Sequence, residues 1–216
     1  MSALKSIVIS AAGSGSRLSF GHTKALLKIA GKPIIIHHLE QLKKFDDVLI
    51  VVGYDAENVI KTVLEYRRNV TFVFNHRYQT TNTLHSLYLG TRFARRYVVS
   101  IDGDLLIKPR DLQKFLKEKD EAMGLIKTYS DEPVCVYTKK RGKDTIITEF
   151  TRKRLEYEWT GLLQVKSERI INTGTYVYHV VQNALPFKAA FVDCREVDTP
   201  DDYQRAVEWG LKVFKK

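Results

Sequence analysis

Through the first half of the chain, short and wholly apolar runs alternate with segments whose apolar residues recur every three or four positions. Ile7-Val8-Ile9, residues 48–52 and residues 97–101 are continuous and rich in β-branched side chains, the pattern of strands covered on both faces of a parallel sheet. Behind Pro33, residues 34–44 place Ile35, Leu39 and Leu42 on one helical face. Asp55 stands as an N-cap before a helix over 56–66, and a strand over 70–74 follows. A polar segment, 75–83, then leads into a helix reaching about residue 94. Strand and helix alternating across short links predict an α/β fold with a Rossmann-like mixed, mostly parallel sheet flanked by helices.

The second half carries a different rhythm. A helix over 109–117 is followed by short strand-like runs at 122–127, 134–138, 145–150 and 160–165, with a hairpin turn at Gly142-Lys143-Asp144. From Tyr176 to Leu185 the spacing is helical despite the valines; a strand over 189–192 and a closing helix over 200–214 complete the chain. No repeat or linker interrupts it, which predicts one domain over 1–216 with two sub-regions meeting near residue 120.

Composition removes several function classes. With 216 residues the chain buries a sizeable core unaided, and its 2 cysteines, Cys135 and Cys194, have neither disulfide-framework nor zinc spacing. A leader and a membrane span are both missing from the pattern, so a cytoplasmic protein is expected. The formal charge of +10 invites a nucleic-acid reading, but the basic pairs are scattered and no nucleic-acid-binding signature accompanies them. Solvated faces account for most of these pairs, and a polyanionic small substrate accounts for the remaining bias.

The chemistry concentrates after the first strand. Ala11-Ala12-Gly13-Ser14-Gly15-Ser16-Arg17 is a run of small residues whose backbone N–H groups can approach a polyphosphate closely, and Arg17 and Lys24 add two cations. Leu18 occupies the third glycine position of a dinucleotide fingerprint, and the Walker A spacing is absent. Taken alone, the loop is equally a Gly/Ser turn. Two carboxylate sets follow later strands. Asp102-Gly103-Asp104 alone reads as a turn, or as the D-x-D of a glycosyltransferase; in residues 196–202, Thr199, Asp201 and Asp202 suit a helix cap.

The full pattern, A-A-G-x-G-S-R-L followed by T-K-x-L-L-x-I-x-G-K-P, resembles the signature of nucleotidyltransferases that activate sugar phosphates and phospho-alcohols. Further stretches extend the likeness over nearly the whole chain: V-G-Y after the second strand, F-N-x-x-Y, the D-G-D, E-x-x-G at Glu158–Gly161, and E-V-D-T-P-x-D-Y at the end. Residues 75–89 look most like bacterial choline-phosphate cytidylyltransferases, with Thr83 and His85 standing where those proteins usually have Asn and Tyr.

The resemblance implies the nucleotide-diphospho-sugar transferase (GT-A type) fold, with a nucleotide-binding part first and an acceptor-binding part second. It implies that residues 11–17 and Lys24 hold the nucleotide phosphates, with Arg17 and Lys24 catalytic, and that Thr81, Asn82 and Ser86 line the base pocket. It places Mg²⁺ on Asp104 and Asp198, and the acceptor on Lys153, Glu158, Trp159 and Gly161. Trp159 with Tyr157, Tyr176 or Tyr178 would form an aromatic wall for a quaternary ammonium, although strand aromatics mostly serve the core. His85 reads more simply as a packed or surface side chain. The implied partners are CTP or another NTP and a small phosphorylated acceptor, with no nucleic acid and no membrane; a homodimer stays open. A sugar-1-phosphate nucleotidyltransferase using UTP, dTTP or GTP is the alternative, and a non-catalytic nucleotide-binding protein is the reading from another class.

Overall fold

The computed structural model describes residues 4–15, 21 and 23–214. The chain runs through β1 (Lys5–Ala11), a small ribbon of β2 (Lys28–Ile29) and β3 (Lys32–Pro33), α1 (Ile34–Gln41), β4 (Val48–Val52), α2 (Ala56–Tyr66), β5 (Thr71–Phe74) and α3 (Thr83–Thr91). There follow β6 (Tyr97–Asp102), β7 (Leu105–Ile107), α4 (Pro109–Phe115), β8 (Ala122–Lys127), β9 (Cys135–Arg141), β10 (Asp144–Thr151) and β11 (Tyr157–Lys166). The chain ends with α5 (Val177–Val181), β12 (Phe187–Phe191), β13 (Cys194–Glu196) and α6 (Pro200–Val213).

Nine strands form one sheet in the order β5-β4-β1-β6-β11-β8-β12-β10-β9. The β5-β4-β1-β6 half is parallel, with Ile9 opposite Ile50 on one side and Ile101 on the other. Beyond β6 the pairings turn mainly antiparallel, with β8 and β12 paired in parallel. Period-two alternation explains why these runs are apolar throughout. Ile7, Ile9, Ile50 and Val52 face a core shared with α1, α2 and α4. Val8, Leu49, Val51 and Val98 face a second core shared with α3 and α5.

Most boundaries fall within a few residues of the expected ones. The helix behind Pro33 stops at Gln41, and the helical stretch after Tyr176 is one short helix followed by a 3-10 turn. Asp55 precedes α2 as expected and its carbonyl accepts the Val59 N–H, but its side chain makes no capping hydrogen bond; its backbone is left-handed (φ 56°), and its Oδ1 accepts from the Asn58 side chain. The strand expected from Thr160 starts at Tyr157, so Glu158 and Trp159 lie within it. Two three-residue strands, β7 and β13, were not expected; they pair antiparallel, with Glu196 opposite Leu105. Among the described residues no helix is long and apolar enough to cross a membrane.

Helix α1 ties these small ribbons to the core. His37 Nε2 meets the Ile29 carbonyl at 2.8 Å and His38 Nε2 meets the Leu105 carbonyl at 2.7 Å, each as the N–H donor. His38 is fully buried, and burial holds its imidazole down from 6.5 to about 4. Between those two values only the unfolded chain binds the proton. Stability is therefore expected to fall as pH drops from 6.5 towards 4 and to level off below, by on the order of 3 kcal/mol. Urea midpoints across that window, compared with those of His38→Gln, check this; equal slopes for both proteins would contradict it.

Candidate functional site

The site forms at the carboxyl ends of the parallel strands, beside the point where sequential strands switch from one side of β1 to the other. Residues 11–15 leave β1 and edge a cleft of about 540 Å³. A Cβ on Gly13 would meet open space, and Gly15 takes a left-handed φ of 60°, so the loop exposes backbone rather than side chain. Ser16 and Arg17, expected to hold phosphates, lie outside the described residues.

On the β6 side, Gly103 donates its N–H to the Ser10 carbonyl at 2.9 Å, and a Cβ there would lie 2.6 Å from that oxygen. The central glycine of Asp102-Gly103-Asp104 thus lets the two loops close against each other. From the far end of the chain, β13 pairs with β7 and the Val197 N–H donates to the Asp104 carbonyl at 3.1 Å. This ribbon carries Asp198 to Asp104. Thr199 and Asp202 are occupied otherwise, in the capping box of α6.

Lys24 completes the cluster. It starts a 3-10 turn, behind Thr23, whose hydroxyl reaches the Ala11 carbonyl at 3.4 Å. Its Nζ donates to Asp104 Oδ2 at 3.0 Å and to Asp198 Oδ1 at 2.5 Å. Burial opposes the ammonium charge, but the two carboxylates outweigh it and hold Lys24 above the ordinary lysine range. Asp102 and Glu196 stand close by. Burial and then the Asp104 charge push Asp102 up to about 7; desolvation and then Asp104 and Asp102 raise Glu196.

Among the described residues Lys24 meets two carboxylates, with Asp102 and Glu196 close by and inclined to keep their protons, so carboxylate charge exceeds ammonium charge beside the loop. That donor set fits Mg²⁺, and Asp104 and Asp198 already converge on one cation, the Lys24 ammonium. Among the described residues no three His, Cys, Asp or Glu side chains form a group that could hold a metal ion by themselves.

At the β5 end the cleft is lined by Thr81, Asn82 and Ser86, the residues the resemblance assigns to the base, and also by Asn75 and Tyr78. Asn75 sits in the F-N-x-x-Y segment, yet its own part was not anticipated. His85 does not line the cleft; its ring meets Asn172 Oδ1 at 3.2 Å and Arg77 Nη2 at 3.4 Å.

A second cavity of about 280 Å³ adjoins the first, sharing Thr83, Asp102, Tyr176 and Glu196 with it. Glu158, Trp159 and Gly161, which the resemblance assigns to the acceptor, line it with different parts to play. The buried Glu158 carboxylate is engaged by its own surroundings: Oε1 accepts the N–H groups of Tyr129 and Ser130 at 3.1 and 3.3 Å, and Oε2 accepts the Ser130 hydroxyl. Gly161 has a φ of 84°, and a Cβ there would collide with the Asp102 carboxylate. Trp159 donates its indole N–H to the Leu162 carbonyl at 3.0 Å and tilts against Phe150, which locks the ring in the wall.

Three expectations are corrected here. Lys153 is exposed and lines neither cavity, whereas the neighbouring Arg152 does line the second. Tyr157 packs on Phe191 instead of joining the wall, which is built by Trp159, Tyr176, Tyr178 and Tyr129. Glu158 braces the 129–130 segment rather than standing free to meet a ligand. Cys194 is buried in the same wall, its thiol raised by burial. A third groove of about 660 Å³, lined by Leu26, Leu27, Pro33 and Tyr203 among others, holds none of these groups.

Comparison with known proteins identifies the family and the fold. Residues 7–189 match the family described as MobA-like NTP transferase domain. The bifunctional protein GlmU of Methanococcus vannielii is 26% identical over 213 residues, which cover 93% of this chain and 47% of that protein. The chain thus spans less than half the length of this curated relative. CTP:phosphocholine cytidylyltransferase LicC from Streptococcus pneumoniae superposes with a TM-score of 0.73 at 21% identity, over 95% of this chain and 98% of that one. A putative glucose-1-phosphate thymidylyltransferase from Bacillus anthracis gives 0.77 at 19% identity, over 95% of each chain. These likenesses show the shared nucleotide-diphospho-sugar transferase fold.

Proposed function

The chain belongs to the MobA-like NTP transferase family, and on that premise we propose that it couples CTP to a small phospho-alcohol or phosphonate. The products are the CDP- or CMP-activated compound and pyrophosphate. The observation that carries this reading is Lys24 clasped between Asp104 and Asp198, at the floor of a cleft with a small polar pocket at one end and an aromatic-walled cavity at the other.

An acceptor phosphate or phosphonate oxygen attacks the α-phosphorus of CTP in line. The new P–O bond forms as the α–β bridge breaks, and pyrophosphate leaves with the electron pair. An acceptor ionised at neutral pH needs no catalytic base, so positioning and charge neutralisation supply the rate. The amides of Gly13–Gly15, with Ser16 and Arg17, hold the β- and γ-phosphates. Lys24 offsets charge building at the α-phosphate. Asp104 and Asp198 would hold Mg²⁺, which when bound draws phosphate oxygens together and neutralises them. Thr81, Asn82 and Ser86 read the base.

In the second cavity, Trp159, Tyr176 and Tyr178 offer ring faces to a quaternary or primary ammonium, and Arg152 offers a guanidinium to the acceptor's phosphate. LicC, by its name, acts on phosphocholine. A second reading, a hexose 1-phosphate as acceptor, is favoured by the fold shared with the putative glucose-1-phosphate thymidylyltransferase of Bacillus anthracis.

Pyrophosphate release with Mg²⁺, crossing CTP, UTP, dTTP, ATP and GTP with phosphocholine, 2-aminoethylphosphonate, inositol and glycerol phosphates and hexose 1-phosphates, tests both. Release with CTP and an amino-alcohol phosphate or phosphonate is the expected result. Release only with a hexose 1-phosphate would replace the acceptor. Silence throughout, with CTP still bound, would favour a non-catalytic binder.

A further inference from the structure

Asn75 is the first residue after β5 and is only 2% exposed. Its backbone N–H donates to the Val52 carbonyl at 2.8 Å, which fixes it against the sheet. Its side-chain Oδ1 accepts the Arg77 backbone N–H at 3.0 Å. A backbone N–H can only donate, so this bond settles which end of the carboxamide is oxygen. The amide nitrogen must then face the other way, where Nδ2 lies 3.0 Å from Thr81 Oγ1 and 3.1 Å from Ser86 Oγ.

Both hydroxyl oxygens therefore accept from Asn75. Thr81 has already given its own proton to the Arg77 carbonyl at 2.8 Å, so towards the cleft it offers only a lone pair. Ser86 is 5% exposed, and among the described residues no acceptor takes its proton. The pocket thus presents an acceptor at Thr81 and an available donor at Ser86.

We infer that Asn75 sets this hydroxyl polarity and thereby makes the base pocket select an amino-bearing edge over a keto-bearing one. Cytosine presents an exocyclic N–H₂ donor next to a ring-nitrogen acceptor, the complement of the Thr81–Ser86 pair. Uracil, thymine and guanine present a carbonyl next to a ring N–H; in the pose that puts the exocyclic group at Thr81 and the ring nitrogen at Ser86, that carbonyl sets lone pair against lone pair at Thr81. Adenine shares the cytosine polarity, so Asn75 discriminates amino from keto bases and leaves ring size to the rest of the pocket. A site built to pair a particular edge penalises the wrong one because its own buried groups go unpaired. The inference rests on the proposed binding of a nucleoside triphosphate with its base at this end of the cleft.

The test is equilibrium binding of Mg²⁺ complexes of CTP, ATP, UTP, dTTP and GTP by calorimetry, for the native chain, Asn75→Asp and Ser86→Ala. The carboxylate introduced by Asn75→Asp is nearly isosteric and still accepts the Arg77 N–H. Its second oxygen, however, accepts from the two hydroxyls and turns their protons away from the base. The added charge weakens all triphosphates alike, so the readout is the ratio of affinities. A loss of packing alone would leave that ratio unmoved.

The native chain is expected to bind CTP on the order of 30-fold or more tighter than UTP. Asn75→Asp is expected to bring the ratio near or below unity, and Ser86→Ala to lower it roughly tenfold. A CTP preference that survives in both variants overturns the inference and leaves the proposed function standing. Native preference for ATP with the same collapse upholds the polarity and overturns CTP as donor. Native preference for UTP, dTTP or GTP overturns the inference, and binding of no nucleotide overturns it together with the proposed function.

Discussion

Replacing Lys24 with methionine is expected to lower turnover by about two to three orders of magnitude while the chain stays folded. Methionine keeps an unbranched stem of similar length but removes the ammonium bonded to Asp104 and Asp198. Two effects then act together. Negative charge developing at the α-phosphate loses its fixed neutralising group, and the cluster of Asp102, Asp104, Glu196 and Asp198 loses the positive charge that opposes its mutual repulsion. Arginine is expected to rescue poorly, since a planar fork cannot reproduce a point charge held between two carboxylates. Pyrophosphate release at saturating substrates, with a melting curve on the same sample, measures both halves. Unchanged turnover in Lys24→Met would remove this lysine from the mechanism.

The second large effect is expected at the carboxylates that Lys24 bridges. Asp104→Asn and Asp198→Asn preserve shape but each withdraws one charged oxygen donor from the proposed Mg²⁺ site. Either change is expected to raise the Mg²⁺ concentration for half-maximal rate by on the order of 100-fold and to cut the saturated rate as well. The two residues act as one clamp, so the double variant is expected to lose little more than the worse single one. Melting temperatures should hold, because each change relieves repulsion among four carboxylates. Independent, multiplying losses, or a Mg²⁺ requirement untouched in both single variants, would dissociate these residues from metal binding.

Much of the fold was legible in the residues because its physics is local. Continuous apolar runs such as Val48–Val52 can be strands only where both faces are covered, and the spacing of Ile35 and Leu39 suits one helix face against that cover. The phosphate-type loop was legible for the same reason. Small residues after a buried strand expose backbone wherever they fold, as the open space beside Gly13 shows.

What could not be read locally is who meets whom. Strands β7 and β13 are three residues each, too short for any periodicity, yet their pairing is what places Asp198 beside Asp104, and both beside Lys24. A run of Arg152, Lys153 and Arg154 names three cations, and only the course of the chain after β10 decides that Arg152 lines the cavity. Glu158 reads as a ligand carboxylate until the Tyr129–Ser130 backbone is seen to occupy it. Asn75 reads as one residue of a polar segment until its amide is found donating to two hydroxyls at once. Local residue patterns dictate the strands, the helices and the kinds of charge available. Which charges converge, and which polar groups are already satisfied, follows from the folded chain, because those outcomes depend on pairings between segments as far apart as Lys24 and Asp198.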